Sequence, residues 1–270
     1  MIPSSSERIR IDGPATAGLV CLLICYGLSL FLSHLCIVPI EKAWKQQQEF
    51  VADASHELKT PLTVILANLA ILKNHREETF AANEKYLKYI EEEAGHMSNL
   101  VNDLLFLAKN DAGIEPPVME RINLSDILYN CYLSFEAVAY EKGLQLETDI
   151  AENLCLLGVS EKLDRLCAIL IDNACKYTQR KGTIHISLHA KNAHILLKVT
   201  NSGAVIPKEQ LAHLFERFYR VDEARTRGEA GYGLGLSIAA SIVKMHHGTI
   251  HAESSAVDGT SFLVSFHIQD

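Results

Sequence analysis

The chain has 270 residues, 48% of them hydrophobic and 21% charged, with a formal net charge of −8. That length holds about two ordinary domains, and the composition excludes wholesale disorder. The acidic balance argues against nonspecific nucleic-acid binding, which needs Lys and Arg to neutralise phosphates, so no nucleic-acid partner is expected.

Residues 1–14 read as a short N-terminal tail. Residues 15–40 contain no Asp, Glu, Lys or Arg. A bilayer core takes about 20 apolar residues as a helix, and this run predicts a transmembrane helix. A signal peptide or a buried core helix fits less well, because the run is long and no small-residue cleavage site follows it. Arg8 and Arg10 precede the segment while Lys42 and Lys45 follow it, so the positive-inside rule barely decides its orientation. No second apolar segment of membrane length follows. Everything after Glu41 is therefore expected on one side, and the dozen residues ahead of the helix leave no extracellular sensing domain. Three of the seven cysteines (Cys21, Cys25, Cys36) lie in the apolar run, and Cys131, Cys155, Cys167 and Cys175 show no C-x-x-C spacing. They read as reduced, small apolar residues rather than a zinc site or a disulfide framework.

Residues 41–112 predict a helical hairpin. Val51, Ala54, Leu58, Leu62, Ile65, Leu69 and Leu72 recur at steps of three and four, as do Leu87, Ile90, Ala94, Met97, Val101, Leu104 and Ala108. The polar stretch 74–83 turns the chain between them. One hairpin cannot bury both stripes, and two copies forming a four-helix bundle would, which predicts a homodimer. His56 lies off the stripe and is expected to be solvent-accessible. A lone histidine there would pass for a surface residue. Its neighbours weigh against that: Glu57 is adjacent, Thr60 lies one turn on along the same face, and Pro61 removes a helical N–H and is expected to bend the helix.

The run Phe50-Val-Ala-Asp-Ala-Ser-His56-Glu57-Leu-Lys-Thr60-Pro61-Leu-Thr-Val-Ile resembles the H-box of bacterial sensor histidine kinases. The resemblance implies that His56 is the phosphoacceptor, that Glu57 hydrogen-bonds the imidazole and assists proton removal, and that Thr60 positions water when the partner is dephosphorylated. The chemistry suits the residues. Imidazole is largely neutral near pH 7, which leaves a ring nitrogen with a lone pair for attack on phosphorus.

Asp111-Ala-Gly-Ile-Glu-Pro-Pro117 marks a linker. Beyond it, helices are expected over 124–142, with Asn123 or Ser125 near the start, and over 161–177. Strands are expected over 144–150, 183–190, 195–201 and 261–268. This is an α/β sandwich over 118–270, with helices on one face of a mixed sheet, and the whole chain is α+β.

Four stretches continue the resemblance. Residues 163–178 are similar to the N-box, which implies Asn173 as the Mg²⁺ ligand through its carbonyl oxygen, Lys176 on phosphate and Tyr177 beside the nucleotide. Where the family often carries a further Asn, this chain has Ile169. Val199-Thr200-Asn201-Ser202-Gly203-Ala204-Val205 takes the place of the adenine-binding Asp-x-Gly-x-Gly loop. Asn201 stands for the Asp, Gly203 is kept, and Val205 replaces the second Gly. The amide still accepts a hydrogen bond but lacks the charge. Leu214-Phe215-Glu-Arg217-Phe218-Tyr219-Arg220 resembles the F-box at the base of a lid over 220–231, and the same residues read equally as a helix end with core aromatics. Gly231-Tyr-Gly233-Leu234-Gly235 opens a helix, where backbone N–H groups meet phosphates. Gly259-Thr260 resembles a last small turn behind the nucleotide pocket. The resemblance covers residues 40–270 and implies the Bergerat ATP-binding fold.

It implies a protein histidine kinase using ATP and Mg²⁺. Its partners would be a second copy, the receiver domain of a response regulator, the membrane and a possible membrane sensor protein. It would sit single-pass in the bacterial cell membrane with a cytoplasmic catalytic region. Two other readings stay open: a silent adaptor or phosphatase in which Asn201 and Val205 have ended ATP turnover, and another ATPase of the same fold. His246 and His247 read as residues without a role.

Overall fold

The computed structural model describes residues 9–74, 79–112, 118–221 and 231–268. The chain divides into two compact units, residues 1–55 and 56–270.

The first unit is made by the N-terminal part of α1 (Ile9–Asn74). It holds one window of mean hydropathy 2.2, long and apolar enough to cross a membrane, with none of that window buried. A helix satisfies its own backbone, so such a face needs only apolar surroundings. α1 runs from the apolar run into the hairpin as one helix, where the sequence suggests two elements.

The second unit starts with the remainder of α1 and α2 (Phe80–Ala112). Pro61 is buried within α1, and the helix continues through it. Lacking an N–H, it leaves the Glu57 carbonyl without its helical donor. The α2 face buried within one chain is not the expected stripe alone. Leu100, Phe106 and Leu107 are buried, whereas Val101 and Leu105 are exposed, as are Leu62, Leu66 and Leu69 on α1. An amphipathic α2 thus spends one face inside its own chain and leaves a second apolar face open. The expected turn (74–83) and linker (111–117) fall partly outside the described residues.

The rest of the unit is the α/β sandwich. It comprises β1 (Glu120–Asn123), α3 (Leu124–Glu141), β2 (Gln145–Ile150), β3 (Cys155–Gly158), α4 (Ser160–Tyr177), β4 (Thr183–Lys191), β5 (His194–Asn201), a short α5 (Lys208–Leu211), α6 (Gly235–Met245), β6 (Thr249–Ser255) and β7 (Gly259–His267). Asn123 is the residue that caps α3, accepting from the Ser125 N–H at 3.1 Å. Five strands form one sheet in the order β2-β4-β5-β7-β6; β2 runs parallel to β4 and the other pairs are antiparallel. The short β1 and β3 pair apart from it.

The core lies between that sheet and α3, α4 and α6. Leu163, Leu166, Leu170 and Ile171 of α4 and Ile238 and Ile242 of α6 pack with Ile184, Ile186, Leu197, Val199, Phe262, Val264 and Phe266. Burying each such side chain contributes about 1.5–3 kcal/mol against leaving it in water. Along β5 the inward positions are Ile195, Leu197, Val199 and Asn201. The period of two therefore puts an amide, not an aliphatic, at the last inward position of the strand.

Candidate nucleotide and phosphoacceptor site

His56 is exposed on α1, and Glu57 and Leu58 beside it are half-buried. The Thr60 hydroxyl donates to the His56 carbonyl, one turn back, at 3.4 Å. Neither the His56 ring nor the Glu57 carboxylate has a hydrogen bond among the described residues. Consecutive helical residues point about 100° apart, because each turn takes 3.6 of them, so Glu57 does not reach its neighbour's ring in this conformation. Burial raises the Tyr232 hydroxyl's pKa, and the carboxylates of Glu93 and Glu57 raise it further. The tyrosine of the glycine-rich turn and the acidic residue of the H-box thus share one electrostatic neighbourhood.

The nucleotide-side residues meet where α4 ends, β5 ends and α6 begins. Asn173 is half-buried in the last turn and a half of α4. Lys176, on the same helix, holds Asp172 at 2.6 Å. A Cβ on Gly231 would come within 3.8 Å of the Lys176 Nζ, and one on Gly235 within 3.5 Å of Ile169, so the glycine-rich turn lies along the Asn173 helix. Gly203 sits so close to Tyr177 that a Cβ there would lie 3.0 Å from the Tyr177 carbonyl and 3.0 Å from the Asn201 Nδ2. That contact ties the N-box to the loop after β5.

Behind the loop, Thr260 pairs with Asn201 across β5 and β7. Its hydroxyl lies 2.9 Å from Ser254 Oγ, which in turn accepts from the Ile206 N–H at 3.0 Å. Gly259, at φ +80°, lets the Asn201 carbonyl approach to where a Cβ would be 2.2 Å away. Val205, where a glycine was missing, is exposed and lies outside helix and strand, so this chain builds the loop without a second glycine.

The F-box stretch is turns rather than a helix. Phe215 meets Phe262 edge-on, with ring centres 6.4 Å apart. Phe218, at φ +61°, donates its N–H to the Gly233 carbonyl at 3.1 Å. A Cβ on Gly233 would lie 2.8 Å from the Phe218 backbone, so only glycine permits that junction. Leu234 is buried as the turn enters α6, and Arg220 is half-buried. The expected lid, 220–231, lies mostly outside the described residues.

Do these groups fit ATP and a hard cation? Asn201 is only 3% exposed, yet its side chain makes no hydrogen bond among the described residues. Its amide oxygen is free to accept from an adenine amino group. Asn173 likewise makes no side-chain hydrogen bond among the described residues, and its oxygen suits Mg²⁺, which keeps waters and phosphate oxygens and takes few protein ligands. Among the described residues no group of three or more His, Cys, Asp or Glu could hold a metal ion.

The hairpin docks on this domain through residues the sequence reading passed over. Asp103 pairs with Arg165. Lys162 and Arg165 sit over the Phe106 ring at 5.1 and 4.6 Å. The Asn110 amide donates to Ser241 at 2.9 Å, and Arg217 grips Asp111 at 2.7 Å. Burial raises the Asp103 carboxyl's pKa, and Arg165 works against that rise. These contacts join residues 62 to 131 apart in the hydrogen-bonded pairs, which is why no local pattern announced them.

His246 also has a role the sequence did not suggest. It is buried, accepts from the Val159 N–H at 3.0 Å through Nε2, and donates from Nδ1 to the Ile242 carbonyl at 2.8 Å. It thereby fastens the end of α6 to the start of α4. The seven cysteines are all free, as expected.

With the geometry in place, comparison with known proteins gives a consistent result. The family model of the His Kinase A (phospho-acceptor) domain matches residues 46–113, and that of the histidine kinase-, DNA gyrase B- and HSP90-like ATPase matches 158–270. The chain is 37% identical over 245 residues to the sensor histidine kinase YkoH of Bacillus subtilis (strain 168), covering 91% of this chain and 53% of that one. It is 35% identical over 242 residues to the sensor protein CiaH of Streptococcus pneumoniae, covering 89% and 54%. The chain spans about half the length of the curated relatives it matches. Among solved structures, the Acinetobacter baumannii histidine kinase AdeS superposes with a TM-score of 0.66 at 22% identity, over 80% of this chain and 98% of that one. Histidine kinase ThkA, solved in complex with response regulator protein TrrA, gives 0.67 at 20% identity, over 90% and 67%. These two likenesses show the fold. A phosphoacceptor hairpin followed by an ATPase domain of this type defines the sensor histidine kinases, and this chain belongs to that family.

Proposed function

We propose that this protein is a sensor histidine kinase that moves the γ-phosphoryl group of ATP to His56 and then to an aspartate of a response-regulator receiver domain. The observation that carries this reading is Asn201. Its side chain makes no hydrogen bond among the described residues and lies with Tyr177, Gly203 and Thr260, where an adenine edge could donate to it. Residues 41–112 are the phosphotransfer hairpin and 118–270 the ATP-binding domain.

The residues act mainly by position and charge, as phosphoryl transfer requires. Asn201 accepts from the adenine amino group, with Gly203 and Tyr177 against the base and Thr260 behind. Lys176 exchanges Asp172 for a phosphate oxygen. The N–H groups of the turn Gly231, Gly233, Leu234 and Gly235 face the phosphates at the start of α6. Phe215 and Arg220 anchor the base of the lid. Mg²⁺, held through the Asn173 oxygen, supplies charge neutralisation on the phosphates. On the hairpin, the neutral His56 ring offers its lone pair, Glu57 takes up the ring's proton after a rotamer change, and Thr60 orients the water that hydrolyses the receiver domain's aspartyl phosphate to inorganic phosphate.

The open face of Leu62, Leu66, Leu69, Val101 and Leu105 supports a homodimer built as a four-helix bundle. The apolar window in α1 supports a membrane anchor; the use of ATP favours a cytoplasmic catalytic region, and a membrane protein in the same bilayer is the expected source of signal.

The reading is tested with the full chain in detergent. It is labelled from γ-labelled ATP and mixed with receiver domains from its own source. The kinase reading expects label to leave the chain and appear on one receiver domain, and not on the variant lacking that receiver's aspartate. A chain that takes no label yet speeds loss of phosphate from a receiver would favour the phosphatase reading.

A further inference from the structure

We propose that His194 and His267 form a binding site for a borderline divalent transition metal (Zn²⁺, Ni²⁺ or Cu²⁺), far from the nucleotide. The two residues are direct cross-strand partners, His194 opening β5 and His267 closing β7. Both side chains stand on the sheet face opposite the helices, with His194 half-buried and His267 exposed. Their rings are 5.0 Å apart between centres and inclined at 72°.

That spacing suits chelation. Imidazoles hold Zn²⁺ with Zn–N bonds of about 2.0–2.1 Å, and two rings 5.0 Å apart between centres come within that reach of one ion once they turn toward it from their edge-to-face arrangement.

The tautomer is fixed as a ligand requires. His194 Nδ1 lies 2.9 Å from the Asn192 carbonyl, which can only accept, so Nδ1 carries the proton and Nε2 keeps its lone pair. A backbone carbonyl on the far nitrogen is the usual support of a metal-bound imidazole. The turn that sets this geometry is strained: Asn192 and Ala193 both hold positive φ, at 49° and 60°. The Ile268 N–H donates to the Ala193 carbonyl at 2.9 Å, so the same turn also holds the end of β7 beside the pair. Lys191, the cross-strand partner of His194 on β4, is the neighbouring cation, and its removal should tighten binding. Water would fill the remaining coordination positions.

His194 and Asn201 are the two ends of β5, about 23 Å apart at 3.3 Å per residue. His267 and Thr260 are separated in the same way along β7. The site is thus distinct from any Mg²⁺ at Asn173, and it stands whether or not the kinase reading does.

The test uses the untagged full chain in detergent, with Zn²⁺ competed against a chromophoric chelator and Cu²⁺ followed by electron paramagnetic resonance. The parent should take up one Zn²⁺ more per chain than the His194→Ala/His267→Ala double variant. Each single variant should bind at least tenfold more weakly, and His189→Ala, one row along the sheet, should match the parent. Bound Cu²⁺ should show two imidazole nitrogens in the parent and one in either single variant. Equal Zn²⁺ uptake by parent and double variant would mean adventitious surface binding only and would overturn the site. So would a parent Cu²⁺ spectrum with fewer than two nitrogens, a reading that needs no variant to fold.

Discussion

Replacing Asn201 with Leu should weaken ATP binding. Asn201 is 3% exposed and its side chain makes no hydrogen bond among the described residues. Leucine keeps the branched outline but is larger and cannot accept a hydrogen bond, and overpacking costs about 1–3 kcal/mol. In a unit of this size that lowers the thermal midpoint of the nucleotide-free protein by about 2–12 °C. The adenine amino group also loses its acceptor, and about 1.4 kcal/mol of lost binding is tenfold in affinity. The rise in midpoint that ATP brings should therefore shrink. The assay is a thermal melt of parent and Asn201→Leu, each with and without ATP. An unchanged ATP-dependent shift would show that Asn201 does not face the base.

Three further outcomes follow from single contacts. Gly233→Ala should cost more stability than Gly231→Ala: both take positive φ, worth about 1–2 kcal/mol for an L-residue, but only at 233 would the Cβ meet backbone, 2.8 Å away at Phe218; chemical denaturation of both variants decides. Burial holds the His246 pKa below its ordinary value, so the neutral ring's stabilising share is whole above about pH 6.5 and is lost as pH falls below it. The denaturation midpoint should therefore drop on acidification in the parent, and His246→Leu, although weaker at pH 7 for want of a partner to the Val159 N–H, should show a flatter acid limb. Ala193→Gly should stabilise by about 1 kcal/mol, since the β4–β5 turn asks for positive φ at that position, and a lower midpoint would contradict the turn geometry.

The parts legible in sequence were those whose reasons are local. His56, Thr60 and Pro61 lie within six residues on one helix, and Asn173 and Lys176 share a turn. The strands of alternating aliphatics, such as Ile195, Leu197 and Val199, declare themselves by period. β1 and β3 have four residues each, too few to show a period, and β6 offers only Ile250 and Ala252 on its inner face. The heptad spacing predicts one stripe per helix, but burial in the structure separates Leu100 and Leu107, inside one chain, from Val101 and Leu105, left open. Helical spacing alone cannot tell two adjacent apolar faces apart. The hold of Asp103, Phe106 and Asp111 on Arg165 and Arg217 joins residues distant in sequence, so it is visible only in three dimensions. Asn201 was seen as a departure from an acidic residue. That it is buried follows from its inward place at the end of β5.

The central claim is that ATP phosphorylates His56, and the most direct measurement is incorporation of γ-label by the full chain in detergent with Mg²⁺, beside His56→Gln and Asn173→Ala. The account expects acid-labile, base-stable label on the parent, mapped to His56, and none on either variant. A folded parent that binds ATP but takes up no label, or label that survives in His56→Gln, would contradict it.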